Sequence, residues 1–465
     1  MQNTSPDLSW LHGFGTAPGP RYLRIVDLLE QGIADGGLHT GDRLPSQRAI
    51  AEHLGVDLTT VTRAFDEARK RQLLAADGAR GTFVAAPKVE LAPVVDLRMN
   101  IPPPPADVDL EELLRQGLAH VLRHADIDLL MTYHRVGGSA ADREAGARWL
   151  APMLGPVAAD SVTSCPGAQA ALAAVILATT QPGDTVLCEP MNYPGLRAAA
   201  QQLGRRVRTI ATDDEGMLPD ALDAACREPG ARLLYLNPTI QNPTTVTVPE
   251  PRRRALLDVA TRHDLQMLED DPYWLMASDA PPPFAQLAPG RVHYVSTLSK
   301  CLCPGLRTAF VRSPDPRRQA DFLAALRSFS LMRAPLTTLL ATQWLHDGTA
   351  AALVAGVKEE ARARQRLAAQ VLGALPAGPH ASREGIHLWL PLPSYWTARE
   401  FAQAARAGGL AVTPADAFAG AERIATQAIR LSLGEGRDRQ RLERALRRLS
   451  MLLASPPDHE ESALV

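Results

Sequence analysis

From Pro20 onward apolar residues recur at helical spacing, and Tyr22, Leu23, Ile25, Val26, Leu28, Leu29 and Ile33 predict a first helix that ends at Gly36-Gly37 and Gly41. Ser46 is a good N-cap for a short amphipathic helix carrying Ala49, Ile50 and Leu54, and Gly55 closes it. Asp57 opens a third helix through Val61 and Phe65 to about Arg71. Two short helices joined by a glycine-containing turn make a helix-turn-helix. Leu73–Ala76 and Gly81–Val84 then read as two strands around Asp77-Gly78-Ala79-Arg80, a β-hairpin or wing.

Prolines interrupt the pattern next. Pro87, Pro93 and the run Pro102 to Pro105 predict an extended linker over 87–109. Beyond it, helical stretches (110–122, 167–179, 193–202, 249–263) interleave with short apolar runs at 185–188, 207–210, 232–236, 265–268 and 292–296. That alternation predicts an α/β domain with a mostly parallel sheet covered on both faces and a site at the strands' C-terminal ends. A smaller subdomain follows, with helices at 316–329 and 335–372, strands near 386–390 and 429–433, and a last helix from Arg437. The expected boundaries are 1–86 (core 20–86), 87–109, 110–455, and a disordered tail at 456–465.

Composition narrows the class. A chain of 465 residues exceeds the roughly 250–300 at which single cores stop growing, so more than one domain is required. The net charge of −2 excludes a polycation, so nucleic-acid binding would have to rest on a local surface. No apolar run is long enough for a bilayer and no signal peptide is visible, so a cytoplasmic location without membrane contact is expected. Five scattered cysteines fit a reducing compartment better than a disulfide framework, and Cys301-x-Cys303 reads as packing rather than metal binding.

The chain uses arginine for almost all its positive charge; its four lysines are Lys70, Lys88, Lys300 and Lys358. Only Lys300 ends a buried apolar run, Val292–Val295 followed by Ser296, Thr297 and Ser299. Burial there favours a neutral, nucleophilic amine, although a lysine snorkelling from a strand end explains this stretch alone equally well. Other polar residues collect where the predicted strands end: Glu189 to Gly195, Asn237 to Thr244, Glu269 to Tyr273, and Arg307. Gly167-Ala168-Gln169 opens a helix whose free N–H groups suit a phosphate. Arg48, Thr59, Thr60, Thr62, Arg63 and Arg80 lie on helix starts and the wing tip, where phosphates and base edges would be met.

These motifs carry two resemblances. Leu-Pro-Ser-x-Arg from Leu44, Ala-x-x-Leu-Gly-Val from Ala51, Thr-Val-x-Arg-Ala-Phe from Thr60 and Gly-Thr-Phe-Val from Gly81 resemble the winged helix of the GntR regulators, although Asp57-Leu58 stands where that family often has Ser-Arg. The resemblance implies double-stranded DNA as partner. Residues 105–455 resemble a fold-type I aminotransferase dependent on pyridoxal 5′-phosphate. That resemblance implies a Schiff base at Lys300, Asp270 on the pyridine nitrogen (with Asp271 as the alternative), and Asn242 and Tyr273 on the ring hydroxyl. It further implies Tyr193 stacked on the ring, and Gly167, Ala168, Gln169, Thr297 and Arg307 on the phosphate. Tyr133 would reach the phosphate from a partner subunit in a homodimer, and Arg430 would clamp a ligand carboxylate. Thr245 stands where many relatives have glycine. The whole chain is similar to the MocR-type regulators of the GntR family. A cytoplasmic transcription regulator that senses the cofactor or an amino compound is expected, with a true aminotransferase carrying an accessory DNA-binding domain as the alternative.

Overall fold

The computed structural model describes residues 8–15, 19–35, 37–71, 73–76, 81–85, 95–373, 378–420 and 426–457. The chain divides into two compact units, Met1–Pro93 and Val94–Val465. Arg80, most of the expected linker before Val95, and residues 458–465 of the expected tail lie outside the described residues.

Among the described residues the first unit has three α-helices, α1 (Arg21–Ala34), α2 (Gln47–Leu54) and α3 (Leu58–Lys70). The Ala49 amide donates to Ser46 Oγ at 3.2 Å, and Gly55 ends α2 at φ +60°, a conformation that glycine adopts without steric cost. Asp57 holds the N-cap position of α3 without a side-chain capping bond. Two strands, β1 (Leu74–Ala76) and β2 (Thr82–Val84), pair antiparallel as the wing. Ile25, Val26, Leu29, Ile50, Val61, Ala64 and Phe65 form the buried core, the helical-period positions of the sequence.

The second unit begins earlier than the proline pattern predicts. Strand β3 (Val95–Asp96) pairs with a strand at Leu410–Ala411, and Leu97 is fully buried. Residues 95–109 therefore belong to the α/β unit rather than to a linker. Burial of Leu97 and Asn100 outweighs the prolines, which need no donor in this non-ladder segment.

A seven-stranded sheet dominates this unit: β4 (Val162–Cys165), β5 (Thr185–Cys188), β6 (Arg206–Thr209), β7 (Ala231–Leu236), β8 (Gln266–Asp270), β9 (Val292–Thr297) and β10 (Ala309–Arg312). Their spatial order is β4-β10-β9-β8-β7-β5-β6. The strands β9, β8, β7, β5 and β6 are mutually parallel, and only β10 runs antiparallel to its neighbours. Apolar clusters lie on both faces, which is why the parallel strands read as continuous apolar runs. A smaller antiparallel sheet contains β11 (His380–Ala381), β12 (His387–Pro391), β14 (Thr413–Pro414) and β15 (Ala428–Ser432), with β13 (Leu410–Ala411) paired to β3. The single helix expected over 335–372 is two, Pro335–His346 and Thr349–Leu372, separated by Asp347 and by Gly348 at φ +88°. No helix among the described residues is long and apolar enough to cross a membrane.

Candidate functional site

The C-terminal ends of β7, β8 and β9 open into a cavity of about 590 Å³ in the second unit. Ala168, Gln169, Tyr193, Asn242, Asp270, Tyr273, Thr297, Lys300, Arg307 and Arg430, all singled out in the sequence, line it together. Register explains the gathering. β8 ends at Asp270 opposite Val295, and β9 continues two residues further to Thr297 before the turn carrying Lys300.

At one end a helix (α4, Ala168–Thr179) starts without any side-chain cap, so its first N–H groups are available to an anion. Gly167 precedes it at φ +91°, and a Cβ there would fall 2.8 Å from the Arg307 guanidinium. Gly195 is equally constrained: a Cβ would fall 2.1 Å from Gln169 Oε1 and 2.4 Å from the Tyr193 ring. Thr297 Oγ1 accepts from the Ser299 amide at 3.2 Å and fixes the turn toward Lys300. This end is a cationic, donor-rich cradle.

In the middle, Tyr235 donates to Asp270 Oδ2 at 2.9 Å, and Asn237 ties the Asp270 carbonyl (2.6 Å) to the Asn242 amide (2.8 Å). Burial raises the Asp270 carboxyl to about 6, while Tyr235 and Lys300 hold it down. Asp271 points behind the sheet, toward the Thr239 and Tyr294 hydroxyls at 3.3 Å each. Thr245 adopts φ +68° in the loop beside Asn242. The Lys300 amine donates to the Asn100 carbonyl, and burial, with Arg430 nearby, lowers it to about 8.

At the other end Arg430 is buried, with burial lowering its guanidinium to about 10. Its Nη1 donates to Asn242 Oδ1 at 2.8 Å, its Nη2 donates to the Arg98 carbonyl, and the Phe418 ring lies 4.9 Å away. Ladder pairing sets Trp389 and Thr413 on either side of it. Among the described residues, Asn100 Oδ1, Gln169 Oε1, Thr413 Oγ1 and Arg430 Nε are buried without a hydrogen-bond partner, and all four residues line this one cavity. Unmet polar atoms of this kind are what a polar ligand satisfies.

Tyr133 is 84% exposed and does not line the cavity of its own chain. Sequence reasoning missed Asn100, Thr413, Phe418 and Tyr235. Asn100 was hidden among prolines, and the other three carry no motif. Tyr235 alone left a signal, as the one hydroxyl within the otherwise aliphatic run Leu233 to Leu236.

In the first unit Arg48, Thr59, Thr62 and Arg63 are exposed and Thr60 half-buried. Thr59, Thr62 and Arg63 share one face of α3 by their spacing. The Thr62 hydroxyl donates to Gln47 Oε1 at 2.8 Å, which links α3 to α2, and the Arg63 guanidinium stacks 4.1 Å over Tyr22 of α1.

The family model described as aminotransferase class I and II matches residues 92–449, and that of the bacterial regulatory proteins of the gntR family matches residues 21–84. The chain is 30% identical to the HTH-type transcriptional regulator TauR of Rhodobacter capsulatus, covering 88% of this chain and 92% of that protein. It is 28% identical to the uncharacterized HTH-type transcriptional regulator YdeF of Bacillus subtilis, over 96% and 97% of the two chains. Among solved structures it resembles LysN, the α-aminoadipate aminotransferase of Thermus thermophilus, with a TM-score of 0.71 and 26% identity over 78% of this chain and 93% of that one. It also resembles the kynurenine aminotransferase of Pyrococcus horikoshii, with a TM-score of 0.70 and 25% identity over 79% and 92%. With a winged helix-turn-helix in one unit and this cavity in the other, the chain belongs to the GntR-type helix-turn-helix transcriptional regulators that carry an aminotransferase class I and II domain.

Proposed function

We propose that this regulator binds its operator through the winged helix and is switched by an amino compound entering the cavity of its aminotransferase-like domain. The cofactor of that domain is pyridoxal 5′-phosphate. What carries the proposal is the convergence of ten expected cofactor and ligand residues on one cavity that also holds four unmet polar atoms.

When bound, the cofactor supplies an aldehyde that condenses with amines and a ring that withdraws electrons. The chain's own groups suit that molecule. Gly167, the start of α4 at Ala168, Gln169, Thr297 and Arg307 would hold the phosphate. Asp270, braced by Tyr235, would keep a proton on the pyridine nitrogen, and Tyr193 would cover the ring face. Asn242 has its oxygen engaged by Arg430, so its amide hydrogens are free to donate to the ring hydroxyl beside Tyr273. Lys300 would take the aldehyde. Arg430 would receive a ligand carboxylate through its unengaged Nε.

An amine that displaces Lys300, and a carboxylate that docks on Arg430 beside its bonds to Asn242 and the Arg98 carbonyl, both change contacts within this domain. A ligand shifts a protein between operator-competent and incompetent states only through such differential contacts. Operator affinity of the cofactor-loaded protein, measured with and without a panel of amino acids and amines, tests the proposal. At least one compound is expected to change it several-fold, and a flat panel would remove the sensing role. The complete cavity also supports the enzymatic reading, for which stoichiometric release of a 2-oxo acid is the distinguishing product.

Three further readings accompany the proposal. A homodimer fits the exposed Ile127, Met131 and Tyr133 side chains, with Tyr133 reaching the partner's phosphate site. A cytoplasmic location fits cysteines that are all free. Arg48, Thr59, Thr60, Thr62, Arg63 and Arg80 would meet DNA. Arg63→Ala is therefore expected to weaken operator binding and to lower the slope of log affinity against log salt by about one unit; an unchanged slope would assign Arg63 to packing on Tyr22.

The lowered Lys300 amine gives a pH prediction. Below about 8 the amine is mostly protonated and must lose a proton before it can attack. Covalent loading of the apoprotein, followed by stopped-flow absorbance, should accelerate with pH, pass half its maximal rate near pH 8 and level off above it. An acceleration continuing to pH 10 would mean an ordinary lysine.

A further inference from the structure

Asn100 is buried, 5% exposed, and its amide nitrogen lies 2.8 Å from the Tyr273 hydroxyl and 3.1 Å from His387 Nδ1. On its other side His387 Nε2 lies 3.2 Å from the Gln241 carbonyl. A carbonyl only accepts, so His387 carries its proton on Nε2 and presents Nδ1 as an acceptor. Burial, with Arg430 nearby, keeps this imidazole neutral by lowering it to about 3. The direction of every bond in the row is then determined. Gln241 C=O accepts from His387, His387 Nδ1 accepts from Asn100, and the second hydrogen of the Asn100 amide goes to Tyr273.

The consequence falls on Tyr273. Its oxygen accepts from Asn100, so its own hydrogen must point elsewhere, and no protein acceptor takes it among the described residues. Tyr273 lines the cavity. We propose that Asn100 is a positioning residue: held by His387, it turns the Tyr273 hydroxyl into a dedicated donor toward the ring oxygen of the cofactor. A donor aimed before the ligand arrives does not have to reorient on binding. Asn242 is arranged by the same logic, its oxygen engaged by Arg430, so the two donors for one ring oxygen are each fixed by a different neighbour.

The backbone makes the arrangement rigid. The Leu97 amide donates to the Ala411 carbonyl at 2.8 Å, and the Ser432 amide donates to the Leu97 carbonyl at 2.8 Å. The next residue, Ile101, presses its carbonyl onto Gly434, where a Cβ would fall 1.7 Å from that oxygen. The Asn100 carbonyl meanwhile accepts from Lys300, a contact that a side-chain substitution leaves in place.

This inference rests on the reading that the cofactor ring hydroxyl meets Tyr273, and the test separates the two. The affinity of full-length apoprotein for pyridoxal 5′-phosphate is measured by equilibrium dialysis for the wild type, Asn100→Ala, Tyr273→Phe and the double variant. Asn100→Ala is expected to weaken binding about 5- to 10-fold, the scale of one oriented hydrogen bond, and by less than about 2-fold once Tyr273 is Phe, because coupled residues are not additive. The same weakening in both backgrounds would overturn the proposal alone and leave Asn100 a packing residue. A Tyr273→Phe protein with wild-type affinity would overturn it together with the reading beneath it. Asn100→Ser, polar but one atom too short to reach Tyr273, is expected to repeat the Ala pattern and serves if Asn100→Ala does not fold.

Discussion

Lys300→Ala is expected to leave no cofactor attached to the protein after borohydride reduction and to weaken pyridoxal 5′-phosphate binding about 100-fold or more. A covalent tether within the site acts at an effective concentration that no free amine reaches. The fold should survive the change. The contact the structure gives the Lys300 amine is with the Asn100 carbonyl, and burial already disfavours its charged form, with Arg430 adding to the effect. Its folded value of about 8 lies below the ordinary value of 10.5. Below pH 8 both the folded and the unfolded chain carry the proton, and the folded chain holds it at a cost. The cost shrinks as pH rises through the window from 8 to 10.5, where only the unfolded chain still binds it. Removing this amine therefore relieves a destabilising group at neutral pH, against the loss of its packed methylenes. The apoprotein variant is expected to melt within about 3 °C of the wild type at pH 7. A reduced Lys300→Ala protein that still carries cofactor would place the covalent site on another residue.

Much of this site was legible because its residues sit at strand ends, where a change from apolar run to polar cluster is visible without coordinates. Asp270, Lys300 and Asn242 are of this kind. The choice between Asp270 and Asp271 was not, because adjacent residues at a strand end point to opposite faces and a shift of one exchanges them. Asp270 lines the cavity, whereas the Asp271 carboxylate accepts from the Thr239 and Tyr294 hydroxyls instead. Asn100 was illegible for a different reason. Its neighbours Pro102 to Pro105 carry a composition that elsewhere means linker, and its side chain is held by Tyr273 and His387, which lie far along the chain. Thr413 and Phe418 depend on the small sheet in the same way, since only the ladder that places Thr413 opposite Arg430 reveals them. Local pattern exposes groups carried by one element and hides those assembled across several. The winged helix lies at the favourable extreme, with its caps, turn glycine and core positions all within one short stretch.

Arg430→Ala carries the second large effect, and it falls on ligands according to their chemistry. The guanidinium is buried between Phe418, Asn242 and the Arg98 carbonyl, yet it keeps Nε unengaged among the described residues. Its value of about 10 leaves it cationic at neutral pH. A carboxylate docking there forms charge-assisted bonds in a site with little water, and truncating one partner of such a pair costs about 2–5 kcal/mol. An α-amino acid that shifts the visible spectrum of the loaded protein should therefore bind about 30- to 5,000-fold more weakly to Arg430→Ala. The amine lacking its carboxylate should bind about as before. Arg430→Lys is not expected to restore the amino acid, because a point ammonium does not reproduce a planar fork that donates to Asn242 and the ligand together. Releasing Asn242 should also loosen the cofactor itself, about 3-fold, the scale of one donor left free to rotate. Equal weakening of amino acid and amine would mean that Arg430 shapes the cavity without reading the carboxylate. If the selective loss is found, the same variant should retain its operator affinity but no longer respond to the amino acid, which would locate the signal at Arg430 rather than at the aldehyde.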